Sequence, residues 1–282
     1  MAFVVLILIG LGWICGATFF DAPEGGIILA ALMATFLVLL GYFGGDKVAL
    51  STSGAKLVQK SDAPDLYRLV ENLSIASGTA TPKIYLIQDE AANAFATGRD
   101  PAHASIAVTT GLLALLDKQE LEGVLAHELS HIKNYDIRFM TLTVVLVGSV
   151  LLLSDILLRG HLFGSRRQEN QTETALFVIG LVLALLSPLV AELIKLAVSR
   201  SREYLADASG ALLTRYPEGL ARALQKIADQ DRPLKKANHA TAHLFLANPF
   251  DPFVTKRFEH WFSTHPPIEK RIERLRRMDR AV

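Results

Sequence analysis

Cysteine is almost missing from this sequence. One residue, Cys15, stands among 282, so no intramolecular disulfide can form and no thiolate cluster can hold a metal. Any metal must rest on histidine and carboxylate. Charge is scarce as well: 20% of the residues are Asp, Glu, Lys or Arg, against about 25% in an ordinary soluble domain. Neither sign is in excess. With 29 basic and 28 acidic residues the net charge is +1, which excludes the overall cationic field on which nucleic-acid binding depends. Repeats and low-complexity stretches are lacking too. What is present is apolar: hydrophobic residues reach 51% and mean hydropathy is positive. That balance argues against a wholly soluble chain. The length suits two modest domains, or one domain with membrane segments.

Residues 1–20 and 25–45 contain no charged side chain. Each is close to the roughly 20 apolar residues that a spanning helix needs. The first lacks the basic leading segment of a signal peptide, and a second apolar run follows at once, so residues 1–45 are expected to form a transmembrane hairpin. Its link carries Asp21 and Glu24, whereas Lys47, Lys56 and Lys60 follow the second run. Positive charge retained on the cytosolic side puts the link outside and residue 46 onward inside. A second hydrophobic hairpin is expected over 139–198. Its halves are Phe139 to Leu158, broken by Asp155, and Thr174 to Ala191, which contains Pro188. Arg159, Arg166 and Arg167 lie between them, where the charge rule disfavours an outside loop. A buried or re-entrant hairpin is the alternative there.

The polar remainder falls into two parts, 46–138 and 199–282. In the first, Leu66, Leu69, Val70 and Leu73 recur at helical spacing, with Pro64 in the first turn and Gly78 past the end, which predicts a helix over Pro64 to Ser77. Lys83 to Gln88 and Ala104 to Thr109 are rich in branched and aromatic residues and read as strands. The second part reads as mostly helical.

His127-Glu128-Leu129-Ser130-His131 is the stretch that carries chemistry. Two histidines four apart on a helix project from one face and can share one zinc ion. The Glu between them sits where it can take a proton from a water at that metal. The surroundings agree with a helix. Asp117 and Glu120 have capping-box spacing, and Leu121, Leu125, Leu129 and Ile132 gather on one face, with the histidines pointing well away from it. Gly123 falls beside the histidines and is expected to leave room for a ligand.

A hydrolytic zinc site wants three protein ligands and an open fourth position. Without cysteine, the third ligand must be His, Asp or Glu, and Glu203 is the best candidate. Asp207, four residues on, shares its helical face and can orient a ligating histidine. His131 just precedes the second hairpin and Glu203 just follows it, so a returning hairpin brings both to one side. His239 and His243 are also four apart, but Ala240 replaces the Glu. His265 and Tyr204 are candidates to stabilise the oxyanion. Residues Asn93, Ala94, Phe95 and Ala96 are candidates to bind substrate as an added strand, with a plain structural loop as the alternative.

These blocks resemble the HtpX group of membrane metalloproteases, distant relatives of the CaaX prenyl proteases. The resemblance covers most of the chain: residues 93–98, 107–117, 124–136, 199–207, 241–245 and 262–267, in the family's order. It implies a zinc endopeptidase of the bacterial inner membrane, multi-pass, with its active site facing the cytosol, degrading misfolded or damaged membrane proteins under stress. By the same resemblance His127, His131 and Glu203 match the ligands of one Zn2+ per chain, and Glu128 the catalytic base. The expected fold is a mainly α integral membrane protein. About four transmembrane helices accompany a cytosolic α/β zincin-like metalloprotease domain, split by the third and fourth apolar helices. Expected partners are protein or peptide substrates and the lipid bilayer, with no nucleic acid. The runners-up are a prenyl-peptide protease and a non-enzymatic membrane adaptor with a structural zinc. Four short apolar segments are few to enclose a lipid, and no fourth protein ligand is evident.

Overall fold

The structure is a computed structural model that describes residues 23–145, 200–230, 232–234, 244–247 and 266–279, together with Trp13, Gly148 and Thr241. The first expected span (Trp13 apart), most of the second hairpin, His239, His243 and His265 lie outside the described residues. The chain divides into two compact units. One comprises Met1–Phe43 and Leu142–Leu193, the other Gly44–Thr141 and Ile194–Val282.

Helix α1, Pro23–Thr52, contains the second expected span and begins in the first unit. It leaves Ile28, Leu29, Leu32, Phe36, Leu39 and Phe43 exposed. At Gly41 an added Cβ would lie 3.2 Å from Leu142 and 3.3 Å from Val145, so this helix packs tightly on the start of the later hydrophobic segment. Over the described residues alone, no helix is long and apolar enough to cross a membrane.

The second unit is built on a four-stranded sheet of β1 (Lys56–Leu57), β2 (Lys83–Ile87), β3 (Ala94–Gly98) and β4 (Ala104–Thr109), in the order β1-β2-β4-β3. β2 and β4 run parallel, and β3 lies antiparallel to β4 with Phe95 opposite Ala107. Both expected strands are present, and the stretch between them is itself a strand rather than a loop. Helix α2 spans Pro64–Ser77. Its apolar positions are buried, and Gly78 closes it in the left-handed region at φ 70°, where a side chain would be strained. Among the described residues the unit also holds helices α3 (Thr110–Leu115), α4 (Lys118–Lys133), α5 (Arg200–Thr214), α6 (Pro217–Gln230) and α7 (Ile268–Asp279).

Helix α4 runs through the middle of this unit and starts with a full capping box. The Asp117 carboxylate accepts from the N–H groups of Gln119 and Glu120, and the Glu120 carboxylate accepts from the Asp117 N–H. Glu120 also takes Lys226 of α6 at 2.7 Å, so one carboxylate closes the helix and docks its neighbour. The histidine face of α4, expected to point away from the leucine face, is buried as well: every residue from Glu120 to Ile132 except Glu122 is buried. One expectation is corrected here, that for Gly123. It does not make room for a ligand. A Cβ there would meet the backbone of Leu220 at 2.7 Å, so its small size serves the close approach of α6.

Candidate metal centre

The histidines of α4 meet α5 at a glycine. A Cβ on Gly210 would come within 2.9 Å of the His127 backbone nitrogen, so the two helices cross nearly backbone to backbone. Glu203, Asp207 and Gly210 share one face of α5, being four and then three residues apart. The close crossing therefore delivers both carboxylates onto α4. His127 Nε2 and His131 Nε2 lie 3.1 Å apart. Glu203 Oε1 is 3.5 Å from His131 Nε2 and its Oε2 3.9 Å from His127 Nε2. All three side chains are buried, and their ligand atoms fall within 4.8 Å of one another. Two imidazoles and one carboxylate converging in this way fit a zinc ion with one open position.

Each imidazole is held from behind. His127 Nδ1 lies 3.0 Å from Asp207 Oδ1, and His131 Nδ1 lies 3.1 Å from Asp136 Oδ2. A carboxylate on Nδ1 fixes the tautomer that leaves Nε2 free to ligate. Behind Asp207 stands Arg271 of α7, 1% exposed, which donates Nε and Nη2 to the two carboxylate oxygens at 2.9 and 2.7 Å. Behind Asp136 stands Arg202, whose Nη1 donates to Oδ1 at 3.2 Å. Asp136, Arg202 and Arg271 were not among the residues singled out from sequence. Asp136 reaches His131 through a turn in which Tyr135 takes φ 62°, a conformation that spacing along a helix does not foretell.

The buried charges set the protonation of the centre. Burial drives the Glu128 carboxyl up to about 7, with the Glu203 charge adding and His131 and Arg271 opposing. For His131 burial disfavours the charged form. The hydrogen bond to Asp136 and the charges of Glu203 and Glu128 outweigh it and raise the imidazole to about 9. His127 moves the other way: burial lowers it, the nearby Arg271 charge adds, and Asp207 only partly compensates. Asp207 is held at about 2, since Arg271 overrides the effect of burial. A cation on Nε2 would oppose the proton on His131, because a ligating imidazole must be neutral.

The substrate candidates lie on the edge strand β3, where alternate residues turn their backbone groups away from β4. The Ala96 backbone slightly lowers the Glu128 carboxyl, which places the proposed base beside the strand edge. At Ala94 the edge is already occupied: its carbonyl accepts the Leu246 N–H at 2.9 Å. Asn93 clasps the next residue, donating Nδ2 to Ala247 O and accepting from Ala247 N–H with Oδ1. Phe95 and Phe245 stack edge to face at 5.0 Å. Tyr204 lies under the Arg274 guanidinium at 3.6 Å. One residue beyond Glu203, it projects about 100° around α5 from the ligand face. Glu203, His127, His131, Glu128 and Asp207 are brought together, and Tyr204 is not among them.

A profile described as Peptidase family M48 matches residues 60–279. The chain belongs to peptidase family M48. Within that family it is 48% identical over 276 residues to a protein named Protease HtpX homolog from Dictyoglomus thermophilum, covering 98% of this chain and 89% of the relative. It is 46% identical over 281 residues to the Protease HtpX homolog of Pyrococcus abyssi, covering 99% of this chain and 93% of that one. Among solved structures, the crystal structure of S. mikatae Ste24p superposes with a TM-score of 0.54 at 20% identity. The match covers 95% of this chain but 62% of that one, and it shows a common fold. As an M48 member the protein is a metalloprotease, and its His127-Glu128-Leu129-Ser130-His131 helix lies inside the matched region.

Proposed function

We propose that this M48 peptidase is a zinc-dependent endopeptidase of the bacterial inner membrane. In this reading it cleaves misfolded or damaged membrane proteins on the cytosolic side. The observation that supports it most is the convergence of His127, His131 and Glu203 with Glu128 on the same helix. The apolar runs over 1–20 and 25–45, the second hydrophobic segment over 139–198, and likeness to proteins named Protease HtpX homolog support the membrane part. The two parts of the peptidase domain, 46–138 and 199–282, then lie on the side where positive charge is retained.

Zinc at this centre would supply a Lewis acid for the scissile carbonyl and ease deprotonation of the attacking water. The protein's own groups do the rest. Glu128, with a carboxyl poised near neutrality by burial, takes the proton of the attacking water and delivers it to the leaving amine. Asp207 and Asp136 keep both imidazoles turned inward. An extended substrate pairs with the β3 edge around Phe95 and Ala96, bounded at Asn93 and Ala94 by the Leu246–Ala247 segment. Backbone pairing of this kind tolerates many sequences, as a protease of damaged proteins requires. His265 is the candidate donor to the oxyanion, since Tyr204 is held under Arg274 and away from the ligand face.

The test is Glu128→Gln in the full chain, purified in detergent. Because Glu128 serves as base and not as ligand, proteolysis of an unfolded protein should be abolished while one zinc per chain remains bound. Zinc content falling to near zero would overturn the assignment.

A further inference from the structure

The two histidines are backed by parallel arms, His127–Asp207–Arg271 and His131–Asp136–Arg202, and the second starts from a residue beside the third ligand. Arg202 directly precedes Glu203 on the first turns of α5. Its Nη1 holds Asp136 Oδ1 at 3.2 Å, while Asp136 Oδ2 holds His131 Nδ1 at 3.1 Å. The carboxylate is thus divided, one oxygen to each partner, and cannot turn about its terminal torsion without breaking one contact. Arg202 is itself fixed by lying over the Phe139 ring at 4.9 Å, a cation–π contact. The chain bends to make this possible. Tyr135 takes φ 62°, a left-handed conformation that is strained for a non-glycine residue. Such strain, kept where glycine would remove it, marks a position held for function. What it accomplishes is visible: the next residue, Asp136, folds back onto His131.

We propose that Arg202 is a positioning residue of the metal centre, acting through Asp136 to hold His131 for metal binding. The first turns of α5 then serve the metal twice, directly through Glu203 and indirectly through Arg202. Displacing this end of α5 would loosen two of the three ligands together. The inference rests on the reading of His127, His131 and Glu203 as the zinc site.

The test compares zinc affinity by competition with a chromophoric chelator, using full-length detergent-purified protein stripped of metal. Wild type and His131→Ala establish the site: one tight zinc in the first and none in the second, the reverse of which would overturn the metal reading itself. Arg202→Gln should weaken zinc binding about tenfold, the lower range for loss of an outer partner, with the melting temperature of the stripped protein unchanged. Arg202→Lys, which keeps a charge for Asp136, should recover most of that loss. In an Asp136→Asn background, Arg202→Gln should add nothing, because both changes break one relay. Undiminished affinity in Arg202→Gln would overturn the proposal. So would an additive loss in the double variant, or a fall in stripped-state melting temperature that Arg202→Lys does not reverse.

Discussion

The two arms behind the histidines use the same three chemical types and differ in burial. Arg271 is 1% exposed and meets Asp207 with two hydrogen bonds. Arg202 has a side chain 36% exposed and meets Asp136 with one. Arg271 also donates to Leu246 O at 3.2 Å, and so ties α7 to the segment on the β3 edge. The inner arm is therefore part of the core, whereas the outer arm stands at its rim. Identical chemistry at two depths leads to two expected outcomes: loss of the inner arm should cost both stability and metal binding, loss of the outer one chiefly metal binding.

The largest effect that would break this contrast lies in the inner arginine. Arg271→Leu leaves the Asp207 carboxylate buried without its cation, a loss of roughly 3–5 kcal/mol of stability. Arg202→Leu, at a partly exposed pair, should cost at most about 1 kcal/mol. Thermal unfolding of both stripped proteins measures the difference, and equal costs would remove the distinction between core and rim. Next in size come the two aspartates. Asp207→Asn and Asp136→Asn should each weaken zinc binding by about 10–100-fold. Only Asp207→Asn should also lower the stability of the stripped protein, because it alone leaves a fully buried arginine short of its counter-charge. The smallest effect lies outside both arms and calibrates them. Asp117→Ala removes the cap of α4 and should cost about 1 kcal/mol, with zinc affinity unchanged. The Asp117 carboxyl is held below its ordinary value, chiefly by the Glu120 N–H. A group lowered on folding contributes fully above its unfolded value, and that contribution fades as pH falls through the folded one. The difference between Asp117→Ala and wild type should therefore shrink only in strong acid.

The sequence was legible where local rules act on consecutive residues. Helix α2 begins at Pro64 and ends before Gly78 as proline and glycine dictate, and the Asp117–Glu120 spacing forms the cap it suggests. The convergence of Glu203 on His127 and His131 followed from four-residue spacings and a chain that returns to where it left. What sequence could not show was which helix covers which face. Gly123 stands beside the histidines in sequence, yet its neighbour is Leu220 of α6. Arg271 sits in a segment crowded with Lys270, Arg274, Arg276 and Arg277, where a solvated basic face is the natural expectation. The available signal was its place beside Ile272 and four before Leu275, the apolar positions that α7 buries. Asp136 was hidden by a left-handed turn. The cover over the histidines was hidden too, because α5 and α7, which bury them, come from a distant part of the chain.

That distance matters during synthesis. Arg271 is separated from His127 by 144 positions, and the whole segment 142–193 of the other unit is translated between His131 and Glu203, two of the three candidate ligands. A ribosome-bound chain that has just completed the α4 helix holds two histidines and a base, but neither the third ligand nor either arginine. Since N-terminal parts emerge first, hydrolytic competence can arise only after the intervening hydrophobic stretch and α7 have left the ribosome. The discontinuity of the site in the gene thus delays its assembly until the chain is nearly complete.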